Sequence, residues 1–209
     1  MRKNKPWLTI LGYPCTNWCI YNKNVNFQGL RRAILDARRM SEKEIKELTA
    51  WTMREQYDGG RWFLFENPPT SDVFVEPEFT PIWTLPGVYS AVNHNCQWGA
   101  VRPTQNLPIK KPTRWVGNNK NLLTAIVRRC GGKNACPEHA SIEGGATKGS
   151  QVYLPRWCSA LLVALRAEIG RVDPYRWTDI THHETMRFPG DSKEGFIEAR
   201  TFARRFSMI

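Results

Sequence analysis

The sequence predicts an α/β fold, and three observations carry that expectation. Two short apolar runs, within Leu8-Thr-Ile-Leu-Gly-Tyr-Pro-Cys-Thr-Asn-Trp18 and Gly60-Arg-Trp-Phe-Leu-Phe-Glu-Asn-Pro-Pro-Thr-Ser71, each end in a polar, proline-stiffened loop. The stretch between them has helical periodicity, and a proline-initiated amphipathic helix follows much later, from Leu154. Apolar runs of four to six residues bounded by turn formers suit strands buried on both faces, so a βαβ unit is the economical reading.

Taken in order, Leu8 to Leu11 form the first strand, and the asparagine-rich residues 19–29 form a loop over its end. A basic helical segment begins near Leu30. Ser41-Glu42-Lys43-Glu44 has the form of a capping box, with Ile45, Leu48 and Trp51 on one buried face of a helix that stops at Gly59-Gly60. Such a helix is the crossover that two parallel strands need. The second strand ends at Glu66, and Pro68 to Glu78 make an irregular, acidic excursion. Pro86-Gly87 turns the chain into a short strand at Val88 to Val92. Past a proline-containing loop at 103–112, a further strand near Arg114 to Gly117 pairs with it as a hairpin at the sheet edge.

Leu122, Leu123, Ile126 and Val127 belong to a short helix. Pro155 occupies the first position of the clearest helix, whose stripe is Cys158, Leu161, Leu162, Leu165 and Ile169, with Gly170 closing it. Two regions follow from this pattern: an α/β domain over 1–170 and a tail over 171–209. The tail carries an amphipathic helix at Phe196, Ala199, Ala203 and Phe206 that docks on the domain, binds a partner, or leads onward in a longer polyprotein.

With 209 residues, 41% of them hydrophobic, and nine tryptophans, the chain can bury one core and is not a disordered protein. No apolar stretch approaches the roughly 20 residues that span a bilayer, and the basic start lacks a secretory core. A soluble, intracellular protein with no membrane partner is expected. Six irregularly spaced cysteines in such a chain read as reduced thiols.

The formal net charge of +11 is uneven, because residues 101–170 hold eleven Lys and Arg against three acidic residues, whereas 61–100 are net acidic. Arg102, Lys110, Lys111, Arg114, Lys120, Arg128, Arg129 and Lys133 dominate the excess, with Trp98 and Trp115 interleaved. A basic, aromatic-studded surface suits phosphate backbones and exposed bases; a merely solubilising face is the alternative. Nucleic acid is the expected partner, DNA ahead of RNA, with Arg102, Lys110, Lys111, Arg114, Arg128 and Arg129 as contacts.

In a parallel βαβ unit the loops after both strands emerge on one rim, where open α/β sheets bind ligands. Cys15 and Glu66 therefore meet there as a candidate catalytic pair. A thiol attacks as its thiolate, and a neighbouring carboxyl group can hold a ring nitrogen or pass it a proton.

Pro14-Cys15 after one strand and Glu66-Asn67-Pro68 after the next resemble the nucleophile loop and the Glu-Asn-Val-type loop of DNA cytosine-5 methyltransferases. Cys96-Gln-Trp-Gly99 through Lys110-Lys-Pro-Thr-Arg114 is similar to the Tyr-Gly turn and basic strand of that family. The order of motifs, over about residues 7–165, resembles divergent methyltransferase-like segments of phage proteins and mobile-element polyproteins. The resemblance implies a Rossmann-like methyltransferase sheet and S-adenosylmethionine as cofactor. It also implies that Cys15 adds to C6 of a flipped-out cytosine while Glu66 contacts N3, with Asn67 and Thr16 shaping the loop or touching the ring. Pro14 and Tyr153, the latter in the entry loop of the late helix, would approach the cofactor. Only Met1 to Trp7 precede the first strand, so the sheet is expected to lack the N-terminal half that carries the glycine-rich cofactor loop.

Three readings of function stay open: a methyltransferase; an inactive methyltransferase-like nucleic-acid-binding module; and one half of a split enzyme completed by a partner chain or polyprotein region. Asn67-Pro68-Pro69-Thr70 adds an amino-methyltransferase pattern, with Thr70 where a stacking ring is expected. Cys130, Cys136 and His139, with Cys158 as a possible fourth, form a zinc-compatible set. Their Cys-x5-Cys-x2-His spacing lacks a Cys-x-x-Cys knuckle, so no metal is expected and loop residues are the preferred reading. Cys19 could resolve a redox pair with Cys15. His182 and His183 have no catalytic consensus around them, and the glycine-rich run 144–149 reads as a flexible loop rather than a phosphate cradle.

Overall fold

The computed structural model describes residues 5–134, 136, 138–142 and 151–173. The calls on the 144–149 loop, on His182 and His183, and on the tail beyond residue 173 lie outside the described residues. The chain is mixed α/β. Strand β1 (Leu8–Gly12) leads through a segment with helical turns at Asn22–Asn26 and Gly29–Arg31 to helices α1 (Arg32–Ser41) and α2 (Lys43–Asp58), then to β2 (Trp62–Asn67). A short helix α3 (Thr80–Trp83) precedes β3 (Tyr89–His94), the small ribbon β4 (Val101–Arg102) and β5 (Leu107–Pro108), and β6 (Pro112–Gly117). Helices α4 (Lys120–Ile126) and α5 (Pro155–Val172) complete it.

Four strands form one sheet in the order β1-β2-β6-β3. β1 and β2 are parallel, with Leu8 opposite Trp62 and Gly12 opposite Glu66. β6 runs antiparallel to both β2 and β3, so β1, β2 and β3 all point the same way. β3 and β6 do pair antiparallel, but only β3 stands at the edge, because β6 is inserted against β2.

The uninterrupted Trp62-Phe-Leu-Phe65 run follows from burial on both faces. Phe63 and Phe65 pack with Tyr13, Trp18, Met53, Phe74, Phe79 and Val116 on one side. Trp62 and Leu64 pack with Trp115, Leu122, Ile126, Trp157 and Leu161 on the other, under α4 and α5. α4 is capped by Asn119, whose Oδ1 accepts the Leu122 amide at 3.0 Å. Glu168 of α5, buried, accepts from Asn119 Nδ2 at 2.7 Å and Asn121 Nδ2 at 2.8 Å, locking the two helices together.

Four details depart from the sequence reading, the first being that the expected loop at 19–29 holds a helical turn over Asn22–Asn26. There is no capping box at Ser41: its hydroxyl donates to the Arg38 carbonyl at 2.8 Å, ending α1, and Glu42 stands at the α2 N-cap without capping it. Ile45, Leu48 and Trp51 are exposed, and α2 instead buries Lys46, Thr52, Met53 and Gln56. Lys46 is drawn in by Glu76 at 2.6 Å and Glu78 at 3.1 Å, which turns the helix away from its more apolar stripe. α5 also passes Gly170 and ends at Val172, so the expected boundary at 170 falls inside a helix. No helix among the described residues is long and apolar enough to cross a membrane.

Candidate functional site

The C-terminal ends of β1 and β2 bring the two expected residues to one rim. After Gly12 the chain buries Tyr13 among Trp18, Phe65 and Phe79, exposes Pro14, and turns at Cys15, whose carbonyl accepts the amides of Trp18 at 3.0 Å and Cys19 at 2.8 Å. Asn67, fully buried, donates from Nδ2 to the Tyr13 carbonyl at 2.8 Å. Glu42 accepts from Tyr13 Oη, Asn17 Nδ2 and Trp18 Nε1. Arg39 donates to the Asn17 carbonyl at 2.8 Å, and its guanidinium and the Lys46 ammonium lie over the Trp18 ring. The Cys15 loop is thus held from both sides. Asn67 holds that loop from beneath through Nδ2, its Oδ1 buried without a partner, while Thr16 stays exposed.

Glu66 is half-buried and opens on a shallow recess shared with Asn93, Lys111, Tyr153 and Trp157. Trp115 and Trp157 stack at 4.8 Å and Trp157 and Tyr153 at 5.0 Å, giving a three-ring stack beside the carboxyl group. Gly12 permits this approach: a β-carbon there would sit 3.3 Å from Tyr153 Oη and 3.6 Å from Glu66 Oε1. Burial raises the proton affinity of Glu66, opposed by the charge of Lys111. Burial likewise raises the Cys15 thiol, with Cys19 and Glu66 adding to the rise and Lys111 opposing it. Tyr153 is held as a neutral phenol by burial and by Glu66. Burial thus shifts both the Glu66 carboxyl group and the Cys15 thiol toward their protonated forms, and the Lys111 charge opposes both shifts.

The basic candidates separate. Arg128 and Arg129 are exposed near the end of β3, where the Arg128 carbonyl accepts the His94 amide at 2.9 Å and its guanidinium covers Trp98 at 3.9 Å. The Lys110 carbonyl accepts the Asn95 amide at 2.7 Å, so that residue belongs to the same edge. Arg102 reaches the Ser141 carbonyl at 3.1 Å. Lys111 lines the recess, in a left-handed backbone conformation with φ of 28°. Arg114 turns to the opposite face, over Phe74 at 4.6 Å. Trp98 and Trp115, expected among surface charges, are 3% and 2% exposed and are core residues.

Sequence reasoning missed one residue. The fold brings Cys96, in the turn after β3, to Cys130, Cys136 and His139, with the four ligand atoms within 4.8 Å of one another. Cys158, weighed as a possible fourth ligand, packs instead in the apolar cluster under α5. Cys96 lies 34 residues before Cys130, and only the β3–β6 pairing and the chain's return after α4 make them neighbours. All six cysteines are free.

The residues expected to approach S-adenosylmethionine do not fit that cofactor as a whole. Pro14 is exposed on its loop and Tyr153 is engaged in the ring stack. Glu66 is the one carboxyl group lining the recess among the described residues, and it lies beside Lys111, whose charge would oppose a sulfonium. No family model matches this chain, and neither a curated protein nor a solved structure matches it.

Proposed function

We propose that this chain handles a nucleic-acid base at the β1–β2 rim in the manner of a DNA cytosine-5 methyltransferase-like protein. The observation that carries the reading is Glu66: a half-buried carboxyl group with raised proton affinity, beside a three-ring stack and Lys111, within electrostatic reach of Cys15. A protonated Glu66 would donate to ring N3 of a cytosine and draw electron density from C6, where the Cys15 sulfur would add. Lys111 and the Arg128–Arg129 edge would meet the backbone phosphates.

Strand directions support a Rossmann-like methyltransferase sheet. Three strands run one way, and a single reversed strand is inserted next to the edge strand. Full burial of Asn67, with Nδ2 bonded to the Tyr13 carbonyl and only Oδ1 unpartnered, weighs against the amino-methyltransferase alternative, which needs that amide at the ligand. One observation favours a second reading, a binding module without chemistry, completed or not by a partner chain: burial disfavours the Cys15 thiolate.

The two readings part in an experiment that needs no methyl donor. Addition of a thiolate at C6 lets C5 take a proton from solvent, and reversal of the addition releases the original C5 hydrogen. A cytosine-containing oligonucleotide incubated with the protein in deuterated water should gain deuterium at C5 with the wild type and not with Cys15→Ser or Glu66→Ala. Binding without exchange would leave the module; neither binding nor exchange would sink the base-handling reading.

A further inference from the structure

We propose that Cys96, Cys130, Cys136 and His139 form a structural zinc site that pins the segment 128–142 to the end of β3. The inference stands apart from the base-handling reading, since none of the four lines the Glu66 recess.

The geometry comes first. A tetrahedral zinc ion, with Zn–S of about 2.3 Å and Zn–N of about 2.0–2.1 Å, sets its ligand atoms about 3.5–3.8 Å apart. Cys130 Sγ and His139 Nε2 are 3.7 Å apart, and all four ligand atoms lie within 4.8 Å of one another. Side-chain movement of at most about 1 Å closes the longest edge. Three thiols and an imidazole are soft and borderline donors, suited to zinc and unsuited to magnesium or calcium. Four protein ligands fill the tetrahedron, which is the pattern of a structural site and leaves no open position for a reacting water.

The surroundings are those of a ligand set. Gln97 Nε2 lies 3.7 Å from the sulfur atoms of both Cys96 and Cys136, a donor placed to stabilise thiolates. The Cys130 amide donates to His94 Nδ1 at 2.9 Å, and the Cys136 amide to the Gly132 carbonyl at 2.8 Å, so two ligands have fixed backbones.

The segment also needs such a tie. Between α4 and residue 142 the described chain makes one short turn, Gly132–Asn134, and buries one apolar residue, Ala140. Hydrophobic burial of that size cannot offset the entropy of ordering a dozen residues. A metal bound by three points of this segment and one in the turn after β3 can, because its binding free energy becomes folding free energy. The site would then hold exposed Arg128, Arg129 and Lys133 as one fixed basic edge.

The test uses the full chain, purified under reducing conditions, stripped with a chelator and reloaded with zinc or cobalt(II). One metal per chain is expected, with the charge-transfer absorption of cobalt–thiolate bonds. Cys96→Ser and Cys136→Ser should lose that stoichiometry, whereas Cys158→Ser and Cys15→Ser should keep it. Because the ligand variants can fail to fold, wild-type protein supplies a second measurement: zinc should protect Cys96, Cys130 and Cys136 from alkylation and leave Cys15 and Cys19 unprotected. No metal taken up by wild type with intact thiols would overturn the proposal. So would absorption that survives Cys96→Ser but is lost in Cys158→Ser.

Discussion

Glu42 accepts the indole N–H of Trp18 at 2.5 Å across 24 residues of chain, and the same carboxylate takes the Tyr13 hydroxyl at 3.2 Å and the Asn17 amide at 2.7 Å. One side chain at the start of α2 thereby fixes three residues that flank Cys15. Hydrogen bonds to a charged acceptor are worth about 1.5–3 kcal/mol each and are not additive. Glu42→Ala should therefore lower unfolding free energy by about 2–3 kcal/mol in urea titration. Glu42→Gln should cost less, since the Asn17 amide can turn to offer its Oδ1, which is buried without a partner. Equal losses for the two variants would mean that charge, not hydrogen-bond geometry, secures the loop.

Gly117 has no room for a side chain. A β-carbon there would lie 2.6 Å from the Phe63 carbonyl oxygen and 2.8 Å from Leu64 Cδ2, both in the middle of the sheet. Gly117→Ala should destabilise by about 1–3 kcal/mol, the usual cost of overpacking, read as a lower denaturation midpoint at unchanged slope. A neutral result would show that β6 can shift against β2.

Glu168 makes stability depend on acid. The Arg171 guanidinium, then Asn119 and Asn121, hold its carboxyl group down at about 2, below the ordinary 4.5, against the opposing effect of burial. A depressed carboxyl contributes stability that is fully present above about 4.5 and is lost as pH falls toward 2. Unfolding free energy followed across that window should drop for wild type and drop less for Glu168→Gln. Identical slopes would remove Glu168 as the cause. Added salt should weaken the effect only in part, since Arg171 is exposed while the two asparagines meet the carboxylate in the interior.

Cys15 should alkylate slowly at neutral pH, because the thiolate is the reactive form and burial disfavours it. Lys111→Met should slow the reaction further, and Glu66→Gln should speed it, as each neighbour's charge acts on the thiol with the opposite sign. Rates measured against pH, with the modified peptide identified by mass, check the order. Insensitivity to both substitutions would separate Cys15 from the Glu66 recess.

Much of the fold was legible because local chemistry and global packing agree there. The Trp62–Phe65 run reads as a strand buried on both faces and is one, and Pro155 marks a helix start that packing respects. Where the two disagree, sequence reading fails. In α2 the periodicity of Ile45, Leu48 and Trp51 names an inner face, yet Lys46 goes inside because Glu76, Glu78 and Trp18 await it, residues no local window around the helix contains together. The basic run was visible as composition, but Arg114 leaves it for Phe74 because strand alternation puts it on the face away from Trp115. The placing of the Cys15 loop and Glu66 at one end of the sheet was legible from parallel strand order alone. Cys96 was not, because its neighbours are set by how β3, β6 and α4 return on each other.

The strand order also ranks the steps by which the chain assembles. His94 and Pro112, paired across β3 and β6, are 18 residues apart, whereas Leu8 and Trp62, paired across β1 and β2, are 54 apart. Loop-closure entropy makes the second pairing about 1 kcal/mol dearer before any contact rewards it. β3, β6 and the adjoining α4 can therefore associate early from nearby chain, whereas the β2–β6 and β1–β2 pairings must each close about 50 residues. The Cys15 loop hangs from β1 and is clamped by α1, α2 and Asn67, so its mould is complete only when those pieces have joined. A refolding chain in which β3, β6 and α4 have associated would hold its basic edge without yet holding the thiol in place.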